Sequence, residues 1–143
     1  MRMRLKKHLK ERMDDCNNLV LFIENEEFYK MDIEEKKRVF DFEKLFGNSN
    51  PIMLEIGCGK GKFINEFAKN NPDINFIAVE KLSNVIVSAA EKTRNLGLKN
   101  VLYLNVSAEN LLCFIKPNSI ERIFLNFSDF GANYYGTKIY KSG

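Results

Sequence analysis

From Pro51 onward, the spacing of the apolar residues switches repeatedly between a strand pattern and a helix pattern. Short apolar runs predict strands at 52–56, 75–80, 101–105 and 120–126. The segments between them carry apolar residues at helical spacing and predict helices at 60–70, 83–96 and 108–115. This alternation predicts an α/β fold, in which four parallel strands are joined by helical crossovers.

Three alternating glycines lie where the first strand meets the first helix, in the run Leu54-Glu-Ile-Gly-Cys-Gly-Lys-Gly61. Glycine adopts positive φ and lets the backbone approach a ligand, while free N–H groups at a helix start favour a polar or anionic group. A dinucleotide fingerprint would need glycine in place of Lys62, and the Gly-Lys-Ser/Thr of a P-loop is absent. The remaining acidic-x-Gly-x-Gly-x-Gly pattern is typical of the nucleoside-cofactor turn of S-adenosylmethionine methyltransferases.

A carboxylate, Glu80, follows the second strand roughly 20 residues after the glycine turn, where it can accept both hydroxyls of a ribose. Each feature alone also fits a structural explanation. Glycine turns often only connect elements, and an acidic residue after a strand often caps a helix or faces solvent. Together, at this spacing in a βαβ pattern, they favour a Rossmann-like nucleoside site.

Composition fits one domain: 143 residues, 45% of them hydrophobic, can bury a core. The three cysteines, Cys16, Cys58 and Cys113, are an odd number without metal-ligand spacing. They indicate reduced thiols, a cytoplasmic location and no metal site. The apolar run at 19–23 is too short for a signal peptide or a membrane span, so we expect no membrane association.

Basic side chains crowd the first dozen residues, although the net charge is only +3. They are Arg2, Arg4, Lys6, Lys7, Lys10 and Arg12. Two interpretations stay open: an arm that contacts RNA phosphates, or a solvated terminus. The only histidine, His8, lies in this run and has no identifiable partner, so we do not expect it to be catalytic.

Residues 24–46 alternate acidic and basic side chains around seven large apolar ones. These are Phe28, Tyr29, Val39, Phe40, Phe42, Leu45 and Phe46. They predict a helical lead-in packed against the sheet, with stacking on nucleic-acid bases as the alternative. We therefore predict a basic arm and lead-in at 1–50, a cofactor-binding domain at 51–129 and a divergent tail at 130–143.

Several stretches together carry a family resemblance over residues 1–129. They are Met1-Arg-Met-Arg4, Leu45-Phe-Gly-Asn48, Leu54-Glu-Ile-Gly-Cys-Gly-Lys-Gly-Lys-Phe63, Asn71-Pro-Asp-Ile-Asn75, Ala78-Val-Glu80, Asn84-Val-Ile-Val87 and Leu125-Asn-Phe-Ser-Asp129. Through them the chain resembles the bacterial tRNA (guanine-N7)-methyltransferase family. The stretches that end at Asn75 and Asp129 are much more specific to it than the glycine turn.

The resemblance implies S-adenosylmethionine as cofactor and tRNA as partner. The implied cofactor-binding residues are Glu55, Gly57, Gly59, Gly61, Glu80, Ser107 and Asp129. Ser107 stands where many members have an aspartate near the adenine, and its hydroxyl can accept or donate a hydrogen bond there. Asp129 also matches the aspartate at the catalytic pocket.

After Asp129 the chain departs from the family. The family continues Pro-Trp-Pro-Lys, whereas this sequence reads Phe130-Gly-Ala-Asn-Tyr-Tyr135. The resemblance thus implies that later strands and an RNA-contacting region, the family's C-terminal half, are missing. In the expected strand order 3-2-1-4, the strand at 120–126 becomes an uncovered apolar edge. We expect such a chain to self-associate or to be poorly stable, and to transfer few methyl groups.

The implied reaction needs few catalytic groups. Guanine N7 has a lone pair and no proton, so its in-line attack on the sulfonium methyl relies on positioning and electrostatics. Asp129 is a hypothetical stabiliser of the developing positive charge, or an acceptor for the guanine N–H edge. The alternatives are a catalytically inactive cofactor- or RNA-binding remnant and, third, a nicotinamide-binding module, against which Lys62 counts.

Overall fold

A parallel five-stranded sheet organises the computed structural model, which describes residues 8–24, 26–36 and 38–125. Its helices are α1 (Leu9–Asp15), α2 (Glu26–Lys30), α3 (Ile33–Lys36), α4 (Phe42–Phe46), α5 (Lys62–Asn70) and α6 (Ser83–Leu96), with a 3₁₀ helix at Ala108–Cys113. Its strands are β1 (Val20–Phe22), β2 (Ile52–Ile56), β3 (Asn75–Val79), β4 (Val101–Asn105) and β5 (Arg122–Leu125). Within these ranges, no helix has the length and apolar character needed to cross a membrane.

The strand order is β1-β4-β3-β2-β5, and every neighbouring pair is parallel. The four strands expected from the sequence, β2 to β5, therefore have the expected order 3-2-1-4. The register pairs Leu54 of β2 with Ile77 of β3 on one side and Ile123 of β5 on the other. The α/β fold with helical crossovers is confirmed.

Strand β1 was not predicted. It has only three residues, and Val20 pairs with Tyr103 at the outer side of β4. Part of the segment 1–50 is thus built into the sheet. The sequence pattern could not reveal this, because a run this short becomes a strand only through its partner.

Two hydrophobic layers cover the sheet. On one face, α5 and α6 pack Ile64 and Ile86 against Phe76 of β3. On the other face, the lead-in places Phe28 and Phe42 against the strand residues. Buried apolar side chains on both faces explain why the central strands are continuous apolar runs.

The lead-in prediction holds for only part of the segment. Phe28 and Phe42 are buried as expected, and the Phe40 ring lies 5.8 Å from that of Phe114. The prediction is wrong for Tyr29, which is 64% exposed, and for Val39 and Leu45, which are also exposed. Tyr29 and Leu45 lie on the short helices α2 and α4, which have only one face against the sheet, whereas Val39 lies in the segment between α3 and α4.

Two of the stretches that carry the resemblance, 45–48 and 71–75, meet at the amino ends of the strands. The Asn75 side-chain amide donates to Asn48 Oδ1 over 2.8 Å. Nearby, the Asn100 amide donates to the carbonyls of Ala68, Asn71 and Ile74, which closes the end of α5 and the loop after it. These asparagines thus hold loops at the amino ends of the strands, opposite the end of the sheet at which Glu80 lies.

Helix α1 is fastened to α6 rather than free. The Arg12 guanidinium forms a paired hydrogen bond with the Glu91 carboxylate, which raises the pKa of Arg12. Arg94 donates to the Asp15 carbonyl over 3.1 Å. Arg12 is therefore not part of a free basic arm, whereas Lys10 is exposed. Arg2, Arg4, Lys6 and Lys7 lie outside the described residues.

Strand β5 is the sheet edge within the described part of the chain, where it pairs only with β2. The expected exposure of apolar side chains is wrong for two of them, however. Ile120 and Ile123 are buried, and the ring of Phe124 lies 5.6 Å from Phe63, on α5. Self-association through the backbone of this edge stays a prediction, which light scattering over a concentration series tests.

Candidate cofactor-binding site

A cleft of about 390 Å³ opens at the carboxyl ends of β2, β3 and β4. Its lining is Ile56, Gly57, Gly59, Val79, Glu80, Lys81, Val106, Ser107, Ala108 and Glu109. Ligands of open parallel sheets bind at this end of the strands. Four residues singled out in the sequence, Gly57, Gly59, Glu80 and Ser107, therefore come together around one space.

A larger cleft, about 570 Å³, lies at the opposite end of the sheet, near the start of β2. It is bordered by the segments 39–43, 49–52 and 116–119. Volume alone does not define a site. The smaller cleft is the candidate because it combines strand ends, a glycine turn and a carboxylate.

The glycine turn is pinned to the neighbouring strand. The N–H groups of Gly57 and Cys58 both donate to the Val79 carbonyl, over 2.8 and 3.0 Å. Gly57, Gly59 and Gly61 have φ of 80°, 56° and 81°, which are conformations that favour glycine. A Cβ on Gly59 would meet nothing within 4 Å, so this residue leaves space at the cleft.

Gly61 has a different role from the other two. It is the N-cap of α5 and does not line the cleft. A Cβ there would lie 2.7 Å from the Ala89 Cβ and 3.0 Å from the Ala89 Cα, on α6. The third glycine is therefore needed for close packing of the turn against α6.

The Glu80 carboxylate joins the glycine turn to the start of α6. Its Oε1 accepts from the Gly59 N–H over 3.3 Å, and its Oε2 accepts from the Leu82 N–H over 3.1 Å. An ionised carboxylate has about four acceptor positions, so these two bonds leave capacity for two hydroxyl donors. The predicted ribose contact is compatible with this geometry.

Glu55 lies beneath the turn rather than in the cleft lining. It is 1% exposed and neighbours Ala78 and Phe124 in the sheet register. Burial, followed by the negative charges of Glu55 and Glu80, raises the pKa of the Cys58 thiol well above its ordinary value. Direct contact of Glu55 with the cofactor stays a prediction.

Ser107 is held by a carboxylate that the sequence analysis missed. The Ser107 N–H and hydroxyl both donate to Glu24 Oε1, over 2.8 and 2.5 Å. The Asn110 amide donates to the same oxygen over 2.8 Å, and the Tyr29 hydroxyl donates to Oε2 over 3.1 Å. Burial alone would raise the pKa of Glu24, but the bonds from Asn110, Ser107 and Tyr29 outweigh it and lower that pKa.

Asn105, at the end of β4, is a second missed residue. Its amide donates to the carbonyls of Glu80 and Lys81, over 3.0 and 3.2 Å, and its Oδ1 accepts from the Ser83 hydroxyl. This buried side chain therefore fixes the loop that carries Glu80. In the sequence, the only indication of this role is a polar residue at the end of an apolar strand.

A buried polar network supports the glycine turn from below. The Asn65 amide donates to the Gly61 carbonyl over 2.8 Å, and Asn65 Oδ1 accepts from the Thr93 hydroxyl over 2.5 Å. The Thr93 and Tyr103 hydroxyls lie 2.7 Å apart. Burial raises the pKa of Tyr103, so its hydroxyl stays protonated and can donate. The network connects α5, α6 and β4.

We expect Thr93→Val to lower the free energy of unfolding by about 1–3 kcal/mol, because Asn65 loses a buried donor. Tyr103→Phe should have a comparable effect, and the double variant should lose less than the sum. Urea unfolding of the four proteins measures this coupling. Additive losses would show that the hydroxyls do not act as one network.

Asp129 lies outside the described residues, so its predicted catalytic and cofactor-binding roles stay predictions. Within the described ranges, no group of three or more His, Cys, Asp or Glu residues could hold a metal ion. The described site thus rests on Gly57, Gly59, Glu80 and Ser107.

Comparison with known proteins gives the family. A family model described as "Putative methyltransferase" matches residues 49–130, and the chain belongs to this methyltransferase family. The solved structure of a 30S ribosomal A1408 methyltransferase from an uncultured bacterium has a TM-score of 0.51 at 17% identity, covering 59% of this chain and 41% of that one. An antibiotic-related methyltransferase gives a TM-score of 0.50 at 18% identity, covering 63% and 49%. These likenesses show the Rossmann-like methyltransferase fold.

Curated relatives are more similar in sequence. A tRNA (guanine-N(7)-)-methyltransferase of Geobacillus sp. (strain WCH70) is 52% identical over 88 residues, which are 62% of this chain and 40% of that protein. The Brevibacillus brevis protein of the same name is 43% identical over 108 residues, 76% of this chain and 46% of the relative. The chain thus spans less than half the length of these relatives.

Proposed function

We propose that the chain binds S-adenosylmethionine in the cleft and serves methyl transfer to N7 of a guanine in tRNA. The observation that carries this proposal is the juxtaposition of Glu80 with the open face of Gly59, in a chain of a methyltransferase family. Relatives named tRNA (guanine-N(7)-)-methyltransferase support the choice of substrate.

The cleft suggests an orientation for the cofactor. Its ribose would lie at Glu80, where two hydroxyls can donate to one carboxylate. Its adenine would lie towards Ser107, and its methionine part would pass the turn at Gly57 and Gly59. Glu55 and Gly61 would then act from beneath, through the position of the turn.

Positioning accounts for the proposed chemistry. The N7 lone pair of guanine attacks the methyl carbon, the carbon–sulfur bond breaks, and the sulfonium becomes a neutral thioether. No proton has to be removed from N7, so the protein needs to align the two reactants and exclude water. The purine gains the positive charge, for which Asp129 is the proposed carboxylate partner. With tRNA as substrate, the proposed location is the cytoplasm.

Calorimetry with S-adenosylhomocysteine, followed by transfer of labelled methyl from S-adenosylmethionine, tests the proposal. We expect binding, and label in an unmodified tRNA transcript. A matched transcript made with 7-deazaguanine should take up no label, because it lacks the N7 lone pair. Binding without transfer would favour the inactive remnant, and absence of binding would contradict the site itself.

The basic arm leads to a separate prediction about tRNA affinity. If Arg2, Arg4, Lys6, Lys7 and Lys10 contact phosphates, replacing all five with alanine should reduce the slope of log K against log[salt] by up to about 4. Arg12 is kept, because Glu91 already pairs with it. Filter binding at several salt concentrations measures the slope. Lys99→Ala, an exposed change before β4, is the control; an unchanged slope in the arm variant would favour a solvated terminus.

A further inference from the structure

The hydrogen of the Ser107 hydroxyl is already donated to another side chain of the protein. A hydroxyl offers one donor and two acceptor positions, whereas an ionised carboxylate can only accept. Ser107 Oγ lies 2.5 Å from Glu24 Oε1, so its hydrogen must point to that oxygen. The Asn110 amide donates to Ser107 Oγ over 3.2 Å and takes one acceptor position. One acceptor position remains.

We infer that Glu24 orients the Ser107 hydroxyl so that Ser107 can only accept a hydrogen bond from a ligand in the cleft. As a result, the cleft binds a 6-amino purine more tightly than a 6-oxo purine. The exocyclic amine of adenine donates and would satisfy the remaining position on Ser107. The 6-oxo group of hypoxanthine accepts, and would place two acceptors opposite each other. The inference rests on the proposed function, because it assumes that the nucleoside of the cofactor lies in this cleft.

The Glu24 carboxylate is itself held in place, so it can fix the direction of the Ser107 hydrogen bond. Glu24 lies two residues after the end of β1, and its N–H lies 3.5 Å from the Asn105 carbonyl at the end of β4. Both carboxylate oxygens have donors, with Tyr29 on Oε2 and Asn110 and Ser107 on Oε1. The lowered pKa keeps the carboxylate ionised at neutral pH, which excludes Glu24 as a donor.

Two ligands of the same shape test the inference: S-adenosylhomocysteine and its 6-oxo analogue, S-inosylhomocysteine. Calorimetry on the unaltered chain should give at least about tenfold tighter binding of the 6-amino ligand, in line with the cost of an unsatisfied polar pair. In Glu24→Ala, no carboxylate accepts the Ser107 hydroxyl hydrogen, so the hydroxyl can turn and donate to a 6-oxo group, and the preference should fall below about threefold. Glu27→Ala makes the same change at an exposed position nearby and should keep the preference.

Ser107→Ala provides a second route that does not depend on how Glu24→Ala folds. It removes the acceptor and should also abolish the preference. If the unaltered chain binds the 6-amino ligand but either variant retains the full preference, the inference is wrong while the proposed function stands. If the unaltered chain binds neither ligand, the proposed function fails, and the inference fails with it.

Discussion

Gly61→Ala is expected to lower the free energy of unfolding by about 2–5 kcal/mol. A left-handed conformation costs a residue with a Cβ about 1–2 kcal/mol, and Gly61 has φ of 81°. Overpacking adds about 1–3 kcal/mol, because the new methyl group would lie 2.7 Å from the Ala89 Cβ and 3.0 Å from its backbone Cα. Urea unfolding followed by circular dichroism measures the loss.

Two other glycines separate the causes of this loss. Gly97→Ala has the same backbone problem, with φ of 67°, but its Cβ would meet nothing within 4 Å. It should cost only the backbone part, about 1–2 kcal/mol. Gly59→Ala should cost the same backbone part, because Gly59 has φ of 56°, and should also weaken S-adenosylhomocysteine binding in calorimetry, because its methyl group would enter the cleft. Equal losses of stability in Gly61→Ala and Gly97→Ala would mean that packing against α6 is unimportant.

The sequence correctly predicts the elements whose local pattern of apolar residues reflects their burial in the structure. Strands β2 and β3 are buried on both faces, which makes them continuous apolar runs between turn residues. Strand β1 could not be predicted, because its three residues depend on pairing with β4, more than 80 positions away in sequence. The exposure of Tyr29 was equally hidden, since it depends on which face of α2 meets the sheet.

The candidate site likewise has residues that the sequence could identify and residues that it could not. Spacing alone identified Gly59 and Glu80, because a glycine turn and a strand-end carboxylate are local features with a fixed separation. Glu24 and Ser107 are 83 positions apart, so no periodic pattern in the sequence indicates their contact. Gly61 was found by its pattern, but only the structure shows that it serves packing on α6.

The carboxylate of Glu80 should make the largest single contribution to cofactor affinity. We expect Glu80→Ala to weaken S-adenosylhomocysteine binding by about 2–4 kcal/mol, which is about 30- to 1000-fold in Kd. Each charge-assisted bond to a ribose hydroxyl is worth on the order of 1.5–3 kcal/mol, with part of that lost to competition from water. The substitution also frees the N–H groups of Gly59 and Leu82, which loosens the turn beside the ligand. Calorimetry gives the change.

Glu109→Ala is the matched control for Glu80→Ala, because it removes the same charge from the same cleft. Glu109 is exposed on the 3₁₀ helix, and long-range attraction there is screened by solvent. Its removal should change the affinity by less than about 1 kcal/mol. Thermal unfolding without ligand checks that the Glu80 variant retains its fold. Equal affinity in Glu80→Ala and the unaltered chain would contradict the assignment of Glu80 to the ribose. Equal losses of affinity in Glu80→Ala and Glu109→Ala would instead indicate a general effect of charge.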